Sequence, residues 1–263
     1  MKKYILTMLV LSVLSLLHAM NLKDPSEQLS NAVLADDIEE ARSAIKQGAN
    51  AQSTFHGSFD TMLHGAKSAA MAQLLIDYGA DIKANSWAGY TPLGKMLYRP
   101  NNPNIHAIET LLRNGASLVK TNPAGRTPFK SMQDEIKMAI ERKMNKETIE
   151  HYKVIADVLK NYPRLVAEAK AEPQNTIQQA VNLGLVDLTK QILKTLRLSD
   201  KELQDLAEIA KKQYALTQDS SYKEIGNLLR FKLGLTGTAL GVSTKGVLGY
   251  SLPKDVIAII KQQ

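Results

Sequence analysis

The 263-residue chain contains no cysteine, a single tryptophan and few aromatic residues, 5% in all. The first absence excludes disulfides, thiolate metal sites and thiol nucleophiles together. Fifteen glycines and nine prolines are too few for collagen-like or low-complexity sequence, and an apolar fraction of 44% is too ordinary for a multi-span membrane protein. What the chain has instead is an excess of positive charge, +7 formally, with a pI near 9.3. A basic balance points to nucleic acid, an anionic surface or an acidic partner only once the charge has been located.

Lys2 and Lys3 precede fourteen uncharged residues, Tyr4 to Leu17, rich in Leu, Val, Ile and Met. About 20 residues are needed to cross a bilayer core, so this run is short for a span. A basic start, a short apolar centre and Ala19 in a small-residue context match a secretory signal over residues 1–20, although Leu17 stands where a smaller residue is preferred. A buried N-terminal helix or an uncleaved anchor is the alternative. The expectation is an exported chain, periplasmic or secreted, with no membrane span once the signal is removed. The remaining charge is uneven: residues 21–86 carry five basic and nine acidic side chains, and residues 87–263 carry 26 and 17. Acidic and basic residues are also interleaved, as in Asp134-Glu135-Ile136-Lys137, which suits solvated helix faces.

Repeats decide the architecture. Three segments close alike, around Gly48-Ala49, Gly79-Ala80 and Gly115-Ala116, 31 and 36 residues apart. Two others open alike, Gly89-Tyr90-Thr91-Pro92-Leu93 and Gly125-Arg126-Thr127-Pro128-Phe129, with Thr61-Met62-Leu63-His64 as a third opening. Between them, Ile38/Ala41/Ala44/Ile45 and Met71/Leu74/Leu75/Tyr78 recur at helical spacing. Proline suits the first helical turn and glycine the left-handed cap after the last. A period near 33 with a Thr-Pro-Leu-His opening resembles the ankyrin repeat. The resemblance is to ankyrin repeats of a bacterial secreted protein. It implies an all-α, ankyrin-like α-solenoid of stacked helix pairs, since one pair cannot bury its apolar face alone.

The expected organisation is a signal over 1–20, four ankyrin-like repeats over 21–163, diverged helical repeats over 164–233 and a glycine-rich tail over 234–263. The fourth repeat changes the phase of its apolar stripe near Asn145, which predicts two elongated helices turning there. Six helix pairs are expected between residues 24 and 233. Ser199–Glu202 and Ser221–Glu224 have the spacing of capping boxes. In the tail, Gly241-Val242-Ser243-Thr244-Lys245-Gly246 lacks the ending of a phosphate loop. Leu252-Pro253-Lys254-Asp255-Val256-Ile257 has the look of an F-box opening, with too few residues after it for that module.

The residues suggest no chemistry. His56, His64, His106 and His151 lack the spacing of a metal pair, and no Ser/His/Asp arrangement stands out. His64 occupies the ankyrin histidine position, which the resemblance assigns to hydrogen bonding between neighbouring loops. No catalytic residue, no metal and no cofactor is expected. The expected function is non-catalytic binding of a protein partner by a monomer, through the loop tips Phe55, His56, Phe59, Trp87, Tyr90 and Arg126. Lys67, Lys95 and Lys130 would add positive charge on the inner-helix face. Aromatic residues and arginine are the types that dominate interface energy. The alternatives are electrostatic binding of nucleic acid or an anionic membrane by the basic half, and an enzyme with its site in the extended fourth repeat.

Overall fold

In the computed structural model, residues 24–55, 58–98 and 103–233 are described. Residues 1–20 and 234–263, and with them the expected signal and tail, lie outside the described residues. Helix makes up 68% of the structure and strands are absent among the described residues. Two compact units divide after Pro92.

The first unit begins with α1 (Pro25–Ala35) and α2 (Ile38–Lys46), a tight hairpin. Asp24 accepts from the Ser26 N–H and Asp37 from the Glu40 N–H, so each helix starts on an aspartate cap. Asp36 turns the chain between them in the left-handed conformation, φ 58°. A short 3-10 turn, Met62–Gly65, packs on α1, and α3 (Ala69–Asp77) packs on α2. Leu29, Val33, Ala41, Ala44, Met71 and Leu75 are fully buried between these elements. The helical spacing of apolar residues therefore does what the sequence implied: each pair contributes one face, and the next pair covers it.

The second unit holds most of α4 (Pro92–Met96), then α5 (Ile105–Arg113), α6 (Pro128–Glu141) and α7 (Lys146–Ala171). It continues with α8 (Pro173–Asn182), α9 (Val186–Thr195), α10 (Asp200–Thr217) and α11 (Ser220–Lys232). From α1 to α11 the elements fall into six consecutive pairs, with the 3-10 turn standing for the first member of the second. Helices α6 and α7 form the elongated hairpin, and Asn145 caps α7 by accepting from the Thr148 N–H at 2.7 Å. Helix α7 runs unbroken through Pro163, so residue 163 lies inside an element. An interior proline costs about 3 kcal/mol in an isolated helix. Here Val158, Leu159 and Tyr162 before it and Leu165 and Ala169 after it are all buried, and their packing holds one helix across the defect.

Of the two expected capping boxes, Ser199–Glu202 forms, with reciprocal bonds. Ser221–Glu224 does not. Asp219 is the cap of α11 and accepts from the Ser221 N–H at 2.8 Å, which releases Ser221 and Glu224 for contacts with α5.

The all-α, ankyrin-like fold follows from these repeated units. Gly48, Gly79 and Gly115, which close the three pairs, have φ of 108°, 89° and 95°, the left-handed region open to glycine.

Candidate functional site

The loops preceding the repeat openings are short backbone-bonded turns. Phe55 N–H donates to the Asp60 carbonyl at 2.9 Å, Ser86 to Tyr90 at 2.8 Å and Asn122 to Arg126 at 2.9 Å. His64 locks the first two loops together within the first unit. Its Nδ1 accepts from the Thr61 N–H at 3.1 Å, which leaves the proton on Nε2 to be donated to the Tyr90 carbonyl at 2.9 Å. The histidine is buried, in the structural position that the ankyrin resemblance implied.

Phe59 and Trp87 stand on these turns with 67% and 83% of their surface exposed. The other residues singled out in the sequence are held more closely. Phe55 is half-buried with its ring over Gly65, and Tyr90 and Lys95 are half-buried. The Lys67 ammonium donates to the Leu34 carbonyl. Arg126 and Lys130 share Asp134, at 3.0 and 3.5 Å. His56 lies outside the described residues.

A second constellation, unforeseen in the sequence, occupies the second unit. His106, Glu109 and Arg113 fall on one face of α5, and Asp187, Lys190 and Glu224 meet them from α9 and α11. Glu109 is fully buried, and its two carboxylate oxygens accept from the backbone N–H groups of Asp187 and Leu188 at 2.9 and 2.8 Å. Helix α9 has no side-chain cap of its own, because Leu185 stands at that position. A carboxylate 78 residues earlier in the chain therefore satisfies the orphan donors at its start.

His106 lies between two carboxylates, Nε2 at 3.5 Å from Asp187 and Nδ1 at 3.2 Å from Glu224. Burial opposes its charge, but hydrogen bonds and attraction to both acids prevail and raise its pKa to about 9. Burial also works to raise the pKa of Asp187 and Glu224. Their bonds to His106, aided by Arg113 and Lys190 at Asp187 and by Lys190 at Glu224, hold both below the ordinary range. Glu109 goes the other way: burial first, then the charge of Asp187, raise it to about 7 against the pull of the two N–H groups. Arg113 reaches Asp187 at 3.1 Å and Lys190 reaches Glu224 at 2.7 Å.

His106, Glu109 and Asp187 offer ligand atoms within 4.8 Å of one another. A divalent cation there would compete with a proton held on His106 to about pH 9 and would face the Arg113 guanidinium beside Asp187. The donor set fits an ion-pair network better than a metal centre.

The starts of α5 and α11 cap each other. Asp219 accepts from the Ile105 N–H at 3.0 Å, Ser221 Oγ from the His106 N–H at 3.1 Å, and Asn104 donates to Ser220 Oγ at 2.9 Å. Beneath them the fully buried His151 donates Nε2–H to the Pro103 carbonyl at 2.9 Å. Burial lowers its pKa, against the charge of Asp219 3.7 Å away, and Nδ1 has no partner among the described residues. These bonds fasten α11 to α5 and keep Glu224 beside His106.

Next to the network is a cleft of about 590 Å³ bounded by α5, α7 and α9. Glu109, Leu112 and Arg113 present one stripe of α5 to it, with Ala116 just beyond that helix, and Tyr162, Pro163 and Val166 present one turn of α7. From α9 come Asp187, Lys190, Gln191 and Lys194, again at helical spacing. The lining contains no serine, threonine or cysteine.

No family model matches the chain, and no curated protein matches it. Among solved structures, the chain is similar to the ankyrin repeat domain of Bcl-3, described as a unique member of the IkappaB protein family. The identity is 27% and the TM-score 0.35, over 39% of this chain and 45% of that one. The chain thus spans less than half the length of the structure it matches, and the ankyrin-like assignment stands on its own repeat geometry.

Proposed function

We propose that this chain is a non-catalytic, exported protein-binding module of ankyrin-like repeats, engaging its partner through the loop tips of the first unit. The observation that carries the reading is the exposure of Phe59 and Trp87 on loops that are otherwise tightly bonded. A large ring on a rigid turn contributes contact area at little ordering cost, which is how a preorganised surface gains affinity. Such rings lose apolar burial by standing in water, and no helical stripe requires them there.

Two findings weigh against the alternatives. Arg126 and Lys130, the two cations of the basic half singled out at the loop tips and inner-helix face, are both paired with Asp134 and so are not free for a polyanion. The two carboxylates that line the cleft are occupied, Glu109 by backbone N–H groups and Asp187 by His106 and Arg113, and no hydroxyl nucleophile from serine or threonine lines it. Export rests on the basic start and apolar run of the first twenty residues.

Affinity capture with the chain from Asn21 onward tests this reading. A protein retained at moderate salt by the parent chain should be lost with Trp87→Ala, a change that at an interface centre costs about 2 kcal/mol, or roughly thirtyfold. Equal capture by both chains would sink the loop-tip assignment. Capture that vanishes on a modest rise in salt would favour a polyanion instead.

A further inference from the structure

His151 is a titratable group that neither the loop tips nor the His106 network uses. It is fully buried on α7, at the place where the starts of α5 and α11 are joined. Its Nε2 carries the proton, because it faces the Pro103 carbonyl at 2.9 Å, and a carbonyl only accepts. Nδ1 is then an acceptor, buried and with no partner among the described residues. The place is built for the neutral ring. A second proton on Nδ1 would be a buried donor with nothing to accept from it, on a ring that has lost its hydration.

The surrounding charges do not reverse this. Asp219 lies 3.7 Å from Nε2, but both its oxygens are taken, Oδ2 by the Ile105 N–H at 3.0 Å and Oδ1 by the Ser221 N–H at 2.8 Å. The starts of α5 and α11 are the positive ends of their helices and disfavour a further cation. Further along, His106, Glu109 and Arg113 of α5 and Glu224 of α11 are engaged in the network with Asp187 and Lys190 of α9. Tyr152 beside His151 and Tyr222 on α11 are neutral phenols, and Lys223 lies over the Tyr214 ring. On α7 itself Glu150 is paired with Lys153. The buried side chains of α6, α8, α9 and α10 carry no charge. Burial outweighs the attraction of Asp219 and holds His151 below its ordinary 6.5.

Helix α11 is the last described helix. It is tied to α5 by the Asp219, Ser220 and Ser221 bonds and by the contact of Glu224 with His106, and it packs on α10 and α9. A helix that touches its neighbours in a stack can open as a local unit. We infer that His151 is an acid-sensitive pin of this joint: proton uptake at Nδ1 releases the start of α11 from α5, so that acid loosens α11 while α8 and α9 stay folded. The ring takes the proton in the opened state, where water reaches Nδ1. The stabilisation is complete above pH 6.5, the value of a free histidine, and is lost as pH falls below it. His106 and Glu109 act with the opposite sign, since acid favours their folded forms, and so cannot mimic the effect. The device does not depend on the function assigned to the loop tips.

Amide hydrogen exchange on the full chain, corrected for the intrinsic effect of pH, tests this. Between about pH 7.5 and about pH 5 the opening of α11 should rise about tenfold, as one-proton linkage requires, while α8 and α9 keep their protection. His151→Gln keeps an N–H for the Pro103 carbonyl and takes no proton, so its α11 should open equally at both pH values. Where that variant fails to fold, ring nitrogen chemical shifts of the parent chain decide. His151 should stay the neutral Nε2–H tautomer for as long as the α11 amides are protected. Equal protection of α11 at both pH values, the same gain in α8 and α9, acid opening retained in His151→Gln, or a charged His151 beneath a protected α11 overturns the proposal.

Discussion

At the scale of single residues, the least replaceable side chain of the second unit is Glu109. Its carboxylate occupies the place of a helix cap, yet it comes from another helix, so one substitution removes both the start of α9 and part of its attachment to α5. Glu109→Ala leaves two buried N–H groups without acceptors and should cost about 2–4 kcal/mol, read as a lower urea midpoint at pH 7. Glu109→Gln keeps one acceptor and should fall between that variant and the parent chain. An alanine variant within about 0.5 kcal/mol of the parent would show that the two bonds are not needed. Trp87 makes the opposite case. With 83% of its surface exposed, Trp87→Ala should change stability by less than about 0.5 kcal/mol in the same urea titration. If it unfolds the chain instead, the ring has a structural duty and its exposure is no sign of a binding surface.

At the scale of elements, the repeats were legible because their signals are local. Proline at Pro92 and Pro128, the Gly-Ala endings and the apolar stripes each fix one helix end or one helix face. The network around His106 was not legible for the converse reason. Its members come from three helices far apart in the chain, Glu109 and Asp187 by 78 residues and Lys190 and Glu224 by 34, and in sequence each is an ordinary charged residue on a helix. The i, i+3, i+7 spacing of His106, Glu109 and Arg113 was the only local hint. Ser221–Glu224 misled because a capping box and a pair of contacts to another helix present the same spacing. Glycines show how local and tertiary demands combine. Gly115 has φ 95° with open space where a Cβ would stand, whereas at Gly184, φ 67°, a Cβ would lie 3.1 Å from the Tyr222 ring. Tyr222 is itself fixed by donating to the Asn182 carbonyl at 2.9 Å. Gly115→Ala should therefore cost about 1 kcal/mol from backbone conformation alone. Gly184→Ala should cost about 1–3 kcal/mol more from overpacking. Thermal melts of the two variants check the order; an equal loss would mean that Tyr222 yields freely.

At the scale of the whole molecule, His106 and Glu109 make stability depend on pH. His106 rises from 6.5 to about 9 in the folded chain and Glu109 from 4.5 to about 7. Between pH 4.5 and pH 9 the native state thus binds more protons than the unfolded state at these two sites, so stability falls as pH rises through that window. For His106 the stabilisation is fully present below its unfolded value and is lost as pH passes about 9. Its shift corresponds to roughly 3 kcal/mol. For Glu109 the neutral form is the better buried one, and the advantage of protonation fades between pH 4.5 and about 7. Asp187 and Glu224 are held below the ordinary carboxylate range, so their contribution is present above it and is lost in stronger acid. Buried His151, whose pKa is lowered from 6.5, opposes this trend in acid, so the melting temperature should decline from pH 7 toward pH 9, the part of the window that His106 sets. His106→Gln should lower the melting temperature at pH 6 and flatten the decline above pH 7, because it removes the proton that the two carboxylates hold. If the variant keeps the slope of the parent chain, the pH dependence arises elsewhere and His106 is not the charge that joins α5 to α9 and α11.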